Sequence, residues 1–408
     1  MSSSRRRDAP ALPPAQLLGR PRVIVSLWAL SLVAAASLVA VRYRDATNSL
    51  WYDYQWYFLP AAKRVAAGGS PYEVPGYVYS PVVAWVLAPM SLWEPWQQVA
   101  QLWTAISLGS ALAAIAFTAA ALSVKGQPWL TPVVFGVGAV TLLYNWPTTL
   151  VLWLGQTDLM VFAALSLAAW GAARKRPART GMGLAAAALI KTWPAVIGLW
   201  LLRRGALERK RSIAWAAAFG ILGLLAVAVV LGPDQLVAWL RAAAKASDQP
   251  EVVHYSASGF GHQLFGPQGP WPSPGAALAA TLVLGAVVAG LLAIVLWWPG
   301  DPGLSLWHTA LAVVLLLPVS HAVYLLLGLP MLWHWVARVV SGQRRDRPAL
   351  AVLAVLLVWW FVAFRTLWPG DMTSSMATGD YAAVFLTSLA ALGSSVGVEA
   401  FGTHRSQS

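Results

Sequence analysis

Residues 23–41 read VIVSLWALSLVAAASLVAV, an uncharged stretch flanked by Arg20 and Arg22 on one side and Arg42-Tyr43-Arg44 on the other. A run of this length matches one bilayer crossing, about 20 residues at 1.5 Å each. A secretory leader would have a shorter apolar core and a small-residue cleavage site, so the stretch reads as an uncleaved signal anchor. Comparable runs recur as far as Val398. The chain of 408 residues is 58% hydrophobic and 11% charged, too poor in charge for a soluble domain of this size. The predicted class is an all-α polytopic membrane protein, a bundle of about 10–12 transmembrane helices. Residues 1–21 are expected to form a disordered cytoplasmic tail, 22–398 a single transmembrane domain and 399–408 a second cytoplasmic tail.

The net charge of +13 does not point to nucleic acid. The bases sit in short clusters between apolar runs: Arg174-Lys175-Arg176 with Arg179, Arg203-Arg204 with Arg209-Lys210-Arg211, and Arg338 with Arg344, Arg345 and Arg347. That is positive-inside patterning, and it predicts a multi-pass protein of the cell membrane with a cytoplasmic N-terminus. If the first two clusters share a side, the chain between them must enter and leave on that side. The interruption Lys191-Thr192-Trp193-Pro194 then predicts a hairpin of short helices with Lys191 near the apex. Irregular backbone at that depth requires cover from protein or a polar cavity. A stretch from Val78 to Leu92, flanked by prolines, is expected to be re-entrant or interfacial. Spans are predicted near 99–123, 129–146, 157–173, 212–231, 276–298, 304–317, 322–336, 349–367 and 381–398. Trp297-Trp298 and Trp359-Trp360 read as interface anchors. The absence of cysteine excludes disulfides and thiol chemistry.

Polar residues gather in the loops opposite the basic clusters. Outer loops are predicted over 42–77 and 232–275. The first carries Asp45 and the run Trp51-Tyr52-Asp53-Tyr54-Gln55-Trp56-Tyr57, followed by Tyr72 and Tyr79. The second carries His254, His262 and Gln263. Two turns on the same side hold Gly155-Gln156-Thr157-Asp158 and Ser320-His321. A carboxylate at the mouth of a membrane bundle is costly to keep charged, which makes Asp53 a candidate for chemistry. Asp53 has a plain alternative, pairing with Arg42, Arg44 or Arg64. Asp45 is the rival acid. Lys191 demands an anionic partner, either a bound phosphate or Asp158. Gln156 and Asp158 also suit a helix cap.

The motifs between Trp51 and Pro81, with Asp53, Tyr57, Ala61-Ala62, Gly69, Tyr72, Tyr79 and Pro81, resemble the start of glycosyltransferase family 87 of the GT-C superfamily. That family comprises polyprenol-phosphate-mannose-dependent α-mannosyltransferases, PimE-type enzymes among them. Gly155-Gln156-Thr157-Asp158 resembles the family's Gly-Gln-x-Asn, and Ile190-Lys191-Thr192-Trp193-Pro194 its Lys-x-x-Pro. Leu317-Pro318-Val319-Ser320 with Pro330 resembles its late Pro-x-Ser…Pro segment. The chain departs from the family where Gly261-His262-Gln263-Leu264 replaces Asn-Gln-Ser, and where Val323-Tyr324 stands near the family's His-His pair, with His321 the nearby imidazole.

The resemblance implies a GT-C-type bundle that moves a mannosyl or other hexosyl residue from a polyprenyl-phosphate donor to a glycolipid or glycan acceptor at the extracytoplasmic face, with inversion. A lipid phosphate is already a good leaving group, so one carboxylate, Asp53, suffices as general base. Glycosidases by contrast need two. Lys191, Gln156, Asp158, Tyr57, Tyr79 and Arg365 are the donor-site candidates. His321, Tyr324, His262, Gln263 and Asp45 are the acceptor or auxiliary candidates. No metal and no cofactor is expected, the donor being a substrate. The expected partners are the bilayer, the donor and the acceptor, with no nucleic acid; the sequence does not speak to oligomeric state. The alternatives are a transporter or flippase of a lipid-linked or polar substrate, and an inactive GT-C scaffold.

Overall fold

The protein is described from a computed structural model over residues 18–48, 51–205, 208–246, 255–267, 269–298, 300–363 and 378–401. Every regular element among these residues is helical. The chain runs α1 (Pro21–Thr47), a π-turn (Tyr54–Phe58), α2 (Leu59–Ala66), α3 (Pro81–Leu87), α4 (Trp96–Leu122), α5 (Leu130–Leu143), α6 (Trp146–Leu154), α7 (Asp158–Ala173) and α8 (Pro177–Ile190). A 3-10 limb (Trp193–Leu202) follows, then α9 (Arg209–Leu231), α10 (Asp234–Ala246), α11 (Ala257–Phe265), α12 (Pro274–Trp297) and α13 (Pro302–Leu316). A second 3-10 segment (Ala322–Gly328) leads into α14 (Leu329–Val340), α15 (Arg347–Ala363) and α16 (Thr378–Phe401).

Six helices among the described residues are long and apolar enough to cross a membrane, or seven if the bent pair α5–α6 counts as one. Four further apolar helices are shorter, at 10–17 residues. The all-α polytopic class therefore stands, and among the described residues the expected bundle of about 10–12 transmembrane helices comprises long crossings and shorter, broken pieces. The span predicted near 129–146 forms as α5, but a further short helix, α6, follows it before the span predicted at 157–173. Asn145 starts α6: its side-chain carbonyl accepts from the Thr148 backbone N–H (2.6 Å), with Pro147 inside the first turn. The axis turns by 65° there. Proline likewise sits in the first turn of α1, α3, α8, α12 and α13, where its missing N–H costs nothing.

The hairpin around Lys191 forms as the charge pattern predicted. Helix α8 stops where Lys191 turns extended (φ −134°, ψ 145°), and the 3-10 limb returns. The two limbs have nearly equal rise, about 20 Å each, so both ends come back to one side. The stretch 232–275, predicted as an outer loop, contains α10 and α11. Trp359 is no interface anchor: it is fully buried and donates to Ser388 Oγ at 2.8 Å. Trp297 does lie exposed. Arg338, read as an orientation charge, is also a partly buried ion-pair partner, bound to Glu399 at 2.5 Å.

Most of the core is one continuous helix-packing cluster. A second, smaller cluster forms from the loop after α1, α3 and the start of α4: Trp51, Tyr54, Phe58, Tyr77, Val83 and Trp103, with others. The loop is thus a packed subdomain, and the polar residues of interest lie where it meets the main core. The junction is tight at Gly155, which ends α6 in the left-handed region (φ 70°). A Cβ there would lie 2.6 Å from Tyr54 Cβ. Gly155→Ala is expected to destabilise the protein by roughly 1–3 kcal/mol through backbone strain and overpacking. The check is a lower unfolding temperature in detergent.

Candidate active site

Four segments far apart in sequence meet at this junction. The π-turn after α1 presents Asp53, the chain before α3 presents Tyr79, the α6–α7 turn presents Gln156 and Asp158, and the hairpin apex presents Lys191. Insertion of a π-turn in a helix is a recurrent way to re-aim side chains at functional sites. Lys191 Nζ donates to both oxygens of Asp158 (3.0 and 2.8 Å) and to Gln156 Oε1 (3.1 Å). Gln156 Nε2 donates to Asp53 Oδ2 and to the Tyr79 hydroxyl (2.7 Å). Tyr79 in turn donates to the same Asp53 oxygen at 3.2 Å.

The orientation of the Gln156 amide follows from its neighbours. An ammonium can only donate and a carboxylate only accept, so the amide oxygen must face Lys191 and the nitrogen Asp53. One oxygen of Asp53 is thereby anchored. The other, Oδ1, has no hydrogen-bond partner among the described residues. Gln156, Asp158 and Lys191 are buried, and the Lys191 ammonium lies 4.9 Å from the Tyr324 ring centre and 5.7 Å from that of Tyr79. Tyr324 is held in turn by Trp193, ring to ring at 4.7 Å, and by His321 at 5.4 Å.

The simple ion-pair alternative for Asp53 fails in this geometry. Arg42 and Arg44 pair with Asp45 (3.3 and 3.9 Å), and Arg64 pairs with Glu73 at 3.0 Å. Asp45 is thus a structural partner at the end of α1, and Arg42 also donates to the Leu143 and Asn145 carbonyls at the α5–α6 bend. Burial pushes the Asp53 carboxyl above the ordinary aspartate value, while the hydrogen bonds from Tyr79 and Gln156 and the Lys191 charge hold it down in part.

The other expected residues scatter. Tyr57 is half-exposed and edges onto Tyr52 at 6.2 Å, and Trp56 beside it is exposed. Trp51 is buried and donates to Thr104 Oγ1 at 3.1 Å, so it supports the loop and presents no face to a ligand. His262 and Gln263 sit on α11, whose start is tied to the turn before His321 through Tyr255 N–H to Ser320 O (2.8 Å). His254 and Arg365 lie outside the described residues. Two residues that sequence reasoning missed shape the site: Trp193, packed on Tyr324, and Trp103, whose Nε1 donates to Gly155 O at 2.8 Å. Trp103 reads simply as part of an apolar span, and no local signal marks it.

Fold and site together define a polytopic membrane protein with a polar, carboxylate-bearing centre at one end of its bundle. The sequence model of glycosyltransferase family 87 matches residues 77–320, more than half of the chain. The chain belongs to that family and is a membrane glycosyltransferase. No curated protein sequence matches it. The matched segment contains Tyr79, Gln156, Asp158 and Lys191 but begins after Asp53. Asp53 joins the family motifs through its contacts. Membership also removes the transporter alternative.

Proposed function

We propose that this protein transfers a mannosyl residue from a polyprenyl-phosphate donor to a glycolipid or glycan hydroxyl, at the extracytoplasmic face, with inversion. Asp53 is the general base. The observation that carries this reading is the anchoring of Asp53 Oδ2 by Gln156 and Tyr79, with no cation paired to it and Oδ1 left to take a proton. One positioned carboxylate of raised basicity is what deprotonation of an attacking alcohol requires.

The lipid nature of the donor is supported by an apolar groove of about 740 Å³ beside the hairpin apex, lined by Leu184, Leu189, Thr192, Pro194, Leu224 and Trp239. Thr192 adjoins Lys191, so a prenyl chain in the groove would end at the polar centre. Lys191 already has its anionic partner in Asp158, so we assign it to positioning Gln156 and not to phosphate capture. Arg365, beyond the described residues, is then assigned to the leaving phosphate, with the His321 imidazole beside Tyr324 as a second candidate. The exposed faces of Trp56 and Tyr57 suit stacking on a sugar.

The test is incubation of the purified protein with labelled polyprenyl-phosphate-mannose and extracted glycolipids, with mass analysis of products. A hexose added to an acceptor supports the proposal. No transfer from that donor, with transfer from a nucleotide sugar, contradicts it; no transfer from any donor favours an inactive scaffold. Asp45→Asn is expected to leave the rate close to wild type in the same assay, because Asp45 acts on Arg42 and not on the centre.

A further inference from the structure

At the basic end of the bundle, α7 ends and α8 and α9 begin around a partly open cavity of about 380 Å³. Arg203 lies at its base, and the exposed Lys175, Arg176 and Arg209 lie around its rim. Glu208 also lines it but is committed to Arg211 at 3.0 Å. Arg203 is only 5% exposed, its Nε has no hydrogen-bond partner, and no carboxylate among the described residues lies within ion-pairing distance of it. Its guanidinium stacks on Trp200 at 4.7 Å. Asp301 acts on it only from longer range, being engaged in capping α13 (2.8 Å to Leu304 N) and facing Arg338 at 3.8 Å.

Topological charge accounts for cations on the rim. It does not account for a largely buried guanidinium without an anion, an arrangement that costs desolvation with no ion pair to offset it. The two helix starts sharpen the mismatch. Neither α8 nor α9 has a side-chain cap or an acidic residue in its first turn, and α9 opens on Arg209-Lys210-Arg211. Helix N-termini attract negative charge; α8 follows Arg176 and carries Arg179, while at α9 the one acid, the N-cap Glu208, is taken up by Arg211. We propose that this cavity binds a phosphate-bearing anion, with the Arg203 guanidinium as its fork-shaped donor and Lys175, Arg176 and Arg209 closing around it. The anion is either the headgroup of an acidic phospholipid in the adjoining leaflet or free phosphate. The site is separate from the Asp53 centre and independent of the sugar-transfer reading.

The experiment uses the purified full-length protein with two probes. Native mass spectrometry measures retention of phosphatidylglycerol against phosphatidylcholine, and thermal unfolding is followed with added inorganic phosphate. Selective retention of phosphatidylglycerol without a phosphate effect identifies a lipid headgroup; stabilisation by inorganic phosphate identifies the free anion. Arg203→Gln is expected to weaken binding on the order of tenfold, as for loss of charge-assisted hydrogen bonds. Should that variant not fold, Lys175→Gln/Arg176→Gln, both at exposed positions, carries the test. Lys210→Gln, exposed and outside the cavity, is the control. The proposal is overturned if neither probe binds, or if the cavity variants weaken binding no more than Lys210→Gln does.

Discussion

Lys191→Met is expected to destabilise the protein by about 3–5 kcal/mol, because it leaves the Asp158 carboxylate buried without its partner. The pair is enclosed, with side-chain exposures of 6% and 5% at a separation of 2.8 Å. Replacing both members by apolar groups removes the orphan charge. The double variant Lys191→Met/Asp158→Leu should therefore regain most of the lost stability, as buried pairs exchanged for packed apolar residues do. It should not regain activity. Without Lys191, nothing charged fixes the Gln156 carbonyl, so the amide loses the orientation that presents its nitrogen to Asp53. Unfolding curves in detergent and the kinetic split check both halves. A positioning role lowers kcat and keeps donor KM, whereas a phosphate-binding role would raise KM.

Asp53→Asn is expected to lower turnover by about 10²–10⁴-fold, the range for loss of a positioned general base. Donor binding should persist, since the amide keeps the shape and one acceptor oxygen. Stability should hold or rise. Burial raises the folded pKa of Asp53 above its unfolded value, so the folded chain holds the proton more tightly. Between those two values stability falls as pH rises, and the full cost is present above the folded value. A neutral amide removes it. Loss of turnover in a protein that is no less stable separates chemistry from structure at this position.

Much of this arrangement was legible beforehand, for identifiable reasons. The hairpin at Lys191 followed from two basic clusters that had to share a side, with a proline between them. Asp53, Tyr79, Gln156, Asp158 and Lys191, which the structure brings together, are singled out by residue type, position and motif resemblance. Their wiring was not readable: Gln156 and Asp53 are 103 residues apart, and no spacing rule joins them. Helix α6 was missed because its nine residues are too short to read as a crossing, although Asn145 and Pro147 are visible helix-start signals. Arg338 looked like an orientation charge because Glu399, its partner, lies 61 residues on. Arg203 looked the same. Burial, and with it the distinction between a topological charge and a structural one, is a property of packing that charge counting does not contain.

The most direct test of the central claim is the pH dependence of kcat/KM for sugar transfer, measured for wild type beside Tyr79→Phe. Protonating Asp53 removes the base, so the rate should fall on the acid side, at a pH above the ordinary carboxylate value of about 3.9. The Tyr79 hydroxyl is the strongest influence holding that carboxyl down. In Tyr79→Phe the acid limb should therefore move to higher pH, with the plateau rate reduced less than in Asp53→Asn. An acid limb at the same pH in both proteins, or none in either, would contradict the account.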